Sequence, residues 1–265
     1  MVRPENSGLD VRSGKHYAQN LVLCIKLQKL KRHMMLPVTA PMHTPLSEQA
    51  FAQLRHAVLA GAFEPGSKLK IEELQGSYGF SSSPLREALN RLSQEGLVKA
   101  DDRKGFRVAL ISREDLADIT HMRLLVDVTA LRESMHHGDD AWEAAIVAAA
   151  HRLAKVESQL GEGPKVLHEV WSGLHRDYHL ALLAACPSQR QRAVCASLFD
   201  QAERYRRYSA RHRVAHHNKS KEHRRLLDAV LKRDADTACV LLAEHIRSTQ
   251  ANVEAALLRL EASQR

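Results

Sequence analysis

Apolar residues recur along residues 81–92 at helical spacing. Leu85, Leu89 and Leu92 stand four and three apart, so they share one face, and Arg86 and Asn90 lie off it. A helix is predicted to open at Ser81, Ser82 or Ser83, each able to cap it, with Pro84 in the first turn, where a missing N–H costs nothing. Ahead of it, Ile71-Glu72-Glu73-Leu74 carries an apolar pair three apart and is followed by a break at Gly79. Behind it come Glu95-Gly96-Leu97-Val98 and Asp101-Asp102-Arg103-Lys104-Gly105-Phe106-Arg107-Val108, which read as a basic β-hairpin. Short helix, turn, capped helix and hairpin, in that order, make up a winged helix-turn-helix.

From residue 113 onward the periodicity is helical throughout. Helices are predicted near 113–137, 139–160, 165–186, 189–213, 217–232 and 235–262, punctuated by Gly138, Gly161-Glu162-Gly163-Pro164 and Pro187. Such an array packs as an antiparallel bundle able to hold a ligand among its helices. The expected fold is therefore mainly α: an N-terminal winged helix-turn-helix with an α/β wing at 46–112, then an all-α antiparallel helical bundle at 113–265. Residues 1–45 are expected to be a disordered extension or sequence upstream of a mis-set start, with Met34, Met35 or Met42 as the natural beginning. Within them Asn20–Met35 could form a weak amphipathic helix.

Charge changes this picture less than its total suggests. The chain has 265 residues and a net charge of +8. Residues 1–45 hold seven basic residues against two acidic, whereas 46–115 hold ten of each. DNA recognition is therefore argued from placed residues and not from bulk charge. With 44% hydrophobic residues the chain can bury a core, and no apolar run reaches membrane-spanning length. Cys24, Cys186, Cys195 and Cys239 are scattered without Cys-x-x-Cys spacing, which fits a reducing cytoplasm.

Serines and an arginine at a helix N-terminus suit phosphate contact and bidentate pairing with guanine. An isolated basic helix is more often a solvated face; the surrounding frame favours DNA. The candidate DNA contacts are Arg55, Ser81, Ser82, Ser83, Arg86, Asn90, Arg91, Lys104 and Gly105.

Histidine placement suggests a second chemistry. His175 and His179 are four apart on one helical face. His223 and His245 each lie 11 residues from Asp234, where two antiparallel helices would turn, so they would stand at similar height. Imidazoles converging from three helices suit Zn²⁺ or Ni²⁺ better than Mn²⁺ or Mg²⁺. The plainer reading is that many of the 16 histidines, such as His136-His137 and His216-His217, are solvated helix ends.

Two family resemblances sharpen both readings. Leu54–Leu69, Ser83-Pro84-Leu85-Arg86-Glu87-Ala88-Leu89 and Glu95-Gly96-Leu97-Val98 resemble the GntR-family winged helix over roughly 46–112. That resemblance implies operator contact by Arg86 and Gly105, and it departs at Ser82, where many members carry a basic residue. Tyr178–Cys186, Glu222–Ala229 and Ala243-Glu244-His245-Ile246 are similar to the FCD effector domain of the FadR subfamily over about 114–256. Arg123-Leu124-Leu125-Val126-Asp127 looks like its Arg-x-x-x-Glu opening helix, with Asp127 for Glu. The resemblance implies a divalent metal held by His179, His223 and His245, with His175 at the usual Asp position. Glu222 and Glu244, each next to a ligand candidate, are expected to point elsewhere.

The resemblance also implies a small organic-acid effector. Arg123, Arg204, Tyr205 and Arg207 are its candidate contacts, since arginine pairs bidentately with carboxylate. Trp142 and Trp171 read as packing residues. The expected protein is a ligand-responsive regulator, a repressor binding an inverted-repeat operator as a homodimer. A histidine-lined helical metalloenzyme acting on small carboxylates is the competing class, but it would leave the winged helix unexplained.

Overall fold

A computed structural model describes residues 44–101, 105–160, 164–211 and 220–263. The expectations for residues 1–43, for Lys104 and for Cys24 lie outside the described residues.

Helix α1 (Leu46–Leu59) turns Ala50, Leu54, Ala57 and Val58 inward. Ala50, Leu54 and Val58 share a core with Leu85, Ala88, Leu89 and Leu92, the buried stripe of α3 (Ser82–Gln94). Between them, α2 (Ile71–Tyr78) ends at Gly79, whose φ of 74° lies in the left-handed region that favours glycine. Ser81 is the extended N-cap residue of α3, although its hydroxyl makes no capping hydrogen bond. Strands β1 (Lys68–Leu69), β2 (Val98–Asp101) and β3 (Gly105–Val108) form an antiparallel sheet in the order β1-β3-β2. Val98 pairs with Val108 and Asp101 with Gly105, so the sheet is a wing whose core side carries Val98, Phe106 and Val108.

Ser112 and Asp139 cap the first two bundle helices. Their side chains accept from the backbone N–H of Asp115 at 3.1 Å and Trp142 at 2.9 Å. The bundle runs α4 (Arg113–His137), α5 (Asp140–Gln159), a 3₁₀ turn (Lys165–Leu167), α6 (Glu169–Leu182), α7 (Gln189–Arg211), α8 (Ser220–Leu231) and α9 (Ala235–Ser263). One expectation needs correction: the helix foreseen at 165–186 begins as 3₁₀ and stops at Leu182. The N–H groups of Leu183, Ala184 and Cys186 close on carbonyls three residues back. The α conformation is disfavoured just before Pro187, so the chain tightens there.

Two cores result, one inside the winged helix and one inside the bundle. Leu131, Ile146, Tyr178, Leu182, Leu226 and Leu242 fill the bundle interior. Trp142 and Trp171 belong to this core, as expected. A third cluster of Leu116, Ile119, Ala202, Tyr205, Val253 and Leu257, flanked by Ile111, sits where the wing chain enters the bundle. The described residues from Pro45 onward belong to one compact unit, so winged helix and bundle are packed on each other. The main seam is α1 against α7.

Candidate functional site

The α3 stripe leaves its opposite face exposed. Ser81, Ser82, Ser83 and Arg86 are exposed at its N-terminal end, and Asn90 is exposed one turn further on. Arg86 makes no ion pair among the described residues. Gly105 opens β3 with φ of 81°, and among the described residues, its chain neighbours aside, nothing lies within 4 Å of where a Cβ would stand.

Two of the expected DNA contacts are placed otherwise. Arg91 Nη1 lies 2.6 Å from Glu48 Oε2, and its guanidinium stands 3.7 Å over the Phe51 ring, strapping α3 to α1. Arg55 donates from Nε to Glu95 at 2.8 Å and from Nη2 to Asp200 of the bundle. Its guanidinium is engaged between the two cores and does not face outward with Arg86. The cause is the α1–α7 seam, which sequence spacing does not contain.

The four histidines converge. His175 and His179 come from α6, His223 from α8 and His245 from α9; all are buried, with ligand-capable atoms within 4.8 Å of one another. The α8–α9 turn does fall at Asp234, whose carboxylate accepts from Thr237 N at 3.0 Å and caps α9. His175 Nε2 and His179 Nε2 are 3.1 Å apart. Zn–N bonds of about 2.0–2.1 Å in a tetrahedron need ligand separations of about 3.3 Å, so these two rings are close enough to share one ion. Burial, reinforced by neighbouring cationic groups, holds His175 and His179 well below the usual histidine range. Both are thus kept as neutral imidazoles, the form that ligates.

Partners behind the rings fix their direction. His175 stacks on Trp171, centroids 4.5 Å apart and planes 15° apart, and its Nδ1 is buried without a hydrogen-bond partner. His245 Nδ1 lies 2.7 Å from Glu222 Oε2. A carboxylate only accepts, so Nδ1 carries the proton and Nε2 keeps its lone pair for the cluster. This corrects the expectation that Glu222 points away: α9 runs beside α8, so Glu222 reaches the back of the His245 ring. Tyr178 donates its hydroxyl to the His223 carbonyl at 3.0 Å and ties α8 to α6.

Of the expected effector contacts, only Arg123 lies beside the histidines. It is buried, pairs with Asp127 at 2.8 Å, and stands 5.3 Å from the centre of the Phe199 ring. Phe199 in turn packs against His175 and His179. A cavity of about 10 Å³ beside Arg123, Asp127, His179 and Phe199 has room for about one water. Arg204, Tyr205 and Arg207 face the junction instead. Arg204 donates to the Ala109 carbonyl at 2.5 Å. The Tyr205 hydroxyl donates to Asp115 at 2.5 Å and accepts from Ser112 N at 3.2 Å. Arg207 pairs with Glu169 at 2.5 Å and with Glu203 at 3.2 Å. Within the same run, Arg206 is the cation that sequence reasoning passed over. It is buried, pairs with Glu203, and lies 4.6 Å over the Phe199 ring. Its place seven residues after Phe199, two helical turns on, was the available signal.

Comparison with known proteins agrees with both halves. The pattern of "Bacterial regulatory proteins, gntR family" matches residues 46–108, and that of the FCD domain matches residues 118–248. The HTH-type transcriptional regulator BphR of Paraburkholderia xenovorans is 37% identical over 204 residues, covering 77% of this chain and 83% of that protein. The HTH-type transcriptional repressor GlaR of Escherichia coli is 34% identical over 207 residues, covering 77% and 93%. Among solved structures, E. coli McbR/YncC superposes with a TM-score of 0.67 at 19% identity, covering 80% of this chain and 98% of that one. A GntR regulator from Rhodococcus sp. RHA1 gives 0.66 at 19%, covering 80% and 99%; these two likenesses concern the fold. The matched families and relatives are transcriptional regulators, not enzymes. No helix among the described residues is long and apolar enough to cross a membrane. A DNA-reading winged helix in front of a histidine-centred helical bundle is thus the architecture of the GntR family with an FCD domain, and this chain is a transcriptional regulator belonging to that family.

Proposed function

We propose that this regulator binds an inverted-repeat operator as a homodimer, represses, and is released when a small organic acid enters a metal-loaded bundle. The observation that carries the reading is the convergence of four buried imidazoles next to two buried guanidinium groups, Arg123 and Arg206. His175, His179, His223 and His245 would hold the ion. Four nitrogen donors without a carboxylate favour Zn²⁺ or Ni²⁺ over Mn²⁺ or Mg²⁺. When bound, the ion supplies positive charge that draws a carboxylate into the bundle.

Asp127 and Glu203 offset the two arginines, but the histidines bring no negative charge, so a divalent ion leaves the site cationic. An anionic effector answers that imbalance. It would have to enlarge the small cavity at Arg123 and His179 on entry. On the DNA side, Ser82, Ser83, Arg86 and Asn90 would face the major groove, and Gly105 with the wing tip the neighbouring backbone. The repressor assignment is favoured by the likeness to GlaR, and the reducing cytoplasm by three buried free thiols, Cys186, Cys195 and Cys239.

Thermal-shift titration of organic acids, on zinc-loaded and chelated protein, tests this reading. A carboxylate that raises the melting temperature only with metal and weakens operator binding supports it. Elemental analysis of the purified protein showing no stoichiometric metal sinks the metal-centred part.

A further inference from the structure

Within a single turn, helix α7 packs on the histidine cluster and, through Arg55, is linked to the C-terminal cap of α3, the helix that carries Arg86. Phe199 lies with its ring centre 5.6 Å from His175 and 5.4 Å from His179. The next residue, Asp200, is 2% exposed. One of its partners is Arg176, which directly follows His175 on α6 and donates to it from Nε at 2.7 Å and Nη2 at 3.0 Å. The other is Arg55 of α1, whose Nε also reaches Glu95, 2.8 Å away, at the C-terminal cap of α3. Gln201 completes the turn: its side-chain amide lies 3.2 Å from where a Cβ on Gly96 would stand, just past the end of the same helix.

A carboxylate this buried is tolerated only while its charge-assisted hydrogen bonds hold, so it cannot shift independently of either arginine. Arg55 divides one guanidinium between an acceptor in the bundle and one in the winged helix. If α6 moves along α7, Asp200 must follow Arg176, and Arg55 must then follow Asp200 or let it go. Either way the seat of the C-terminus of α3 changes.

We infer that Asp200 is a positioning residue that couples occupancy of the histidine site to the orientation of the recognition helix, through Arg176 on one side and Arg55 with Glu95 on the other. The inference rests on the metal reading above and adds the route by which the metal acts on DNA binding. By linkage, whatever factor metal imposes on operator affinity, operator must impose on metal affinity.

The test uses the full-length chain and an operator selected in vitro from random duplex DNA. Fluorescence anisotropy gives operator Kd for wild type, Asp200→Asn and Arg176→Gln, each zinc-loaded and chelated. Zinc per chain is measured in parallel by elemental analysis and competition titration. The expected wild-type ratio between the two states is about tenfold. It should fall to within about threefold in both variants while zinc affinity stays at the wild-type value, a separation that general loosening of the fold would not produce. Arg176→Gln keeps the Asp200–Arg55 pair and decides the matter alone if Asp200→Asn does not fold. A variant that retains the tenfold ratio overturns the inference. So does a wild type that binds zinc stoichiometrically without any change in operator affinity, an outcome that leaves the metal site standing. A wild type that takes up no zinc at all overturns the metal reading and the coupling together.

Discussion

Glu222 offers the sharpest quantitative test of the histidine site, because its carboxylate stands directly behind the His245 ring. Its carboxylate accepts from His245 Nδ1 at 2.7 Å, and this bond both selects the tautomer and raises the basicity of Nε2. Losing such a partner typically lowers metal affinity about 10–100-fold. Two perturbations divide that range. Glu222→Gln keeps an acceptor oxygen, so the tautomer survives and only the charge is lost. The Glu222 side chain is 41% exposed, so solvent screens that charge, and the loss should lie near the low end, about tenfold or about 1.4 kcal/mol. Glu222→Ala also removes the acceptor. His245 is only 6% exposed, so water replaces the bond poorly and Nδ1 loses the acceptor that selects its tautomer; the loss should approach 100-fold, about 2.7 kcal/mol. Competition against a chromophoric zinc chelator near neutral pH measures both. Two variants within about twofold of wild type, or a Gln variant weaker than the Ala variant, would refute the assignment of Nε2 to the metal.

Arg86→Ala should weaken operator binding by about 1–3 kcal/mol while leaving the melting temperature unchanged, since the side chain is exposed and supports no packing; anisotropy and calorimetry check the two parts. The double variant His223→Ala, His245→Ala should hold no zinc and lose the zinc-dependent gain in stability. At zinc about 100-fold above Kd that gain is about 2.7 kcal/mol, or roughly 5–10 °C for a chain of this size. Acidification should destabilise the chelated protein. Burial depresses His175 and His179 in the folded state, so below the unfolded value of about 6.5 the unfolded chain binds the extra protons and stability falls with pH. Denaturation midpoints that stay level from neutral pH to about 5.5 would contradict this.

Much of the architecture was legible as periodicity. Leu85, Leu89 and Leu92 set the buried face of α3, and every helix from Arg113 onward lies within a few residues of its expected span, apart from the early stop at Leu182. The turn at Asp234 was legible too, and with it the pairing of His223 with His245. These features share one cause: a 3.6-residue repeat and local turn chemistry act between residues close in the chain.

What faces what across helices was not legible. Arg204, Tyr205, Arg206 and Arg207 are consecutive, and the sequence alone cannot say which of them meets the histidines. Successive side chains point about 100° apart around the axis, so the answer depends on which neighbour occupies each side of α7. Packing directs Arg206 toward Phe199 and the cluster, and the other three toward the wing junction and α6. Arg55 shows the same division. Its motif position suggested DNA, but the bundle brings Asp200 beside it, 145 residues away in sequence, and claims the guanidinium. Glu222, expected to turn away, is drawn to His245 because α9 returns alongside α8. Sequence alone therefore determined the two-part organisation, the exposure of Ser82, Ser83 and Arg86 off the buried stripe, and the histidines able to meet. Tertiary structure alone decided which charges stand behind them, since burial and pairing between distant segments are set only when helices pack.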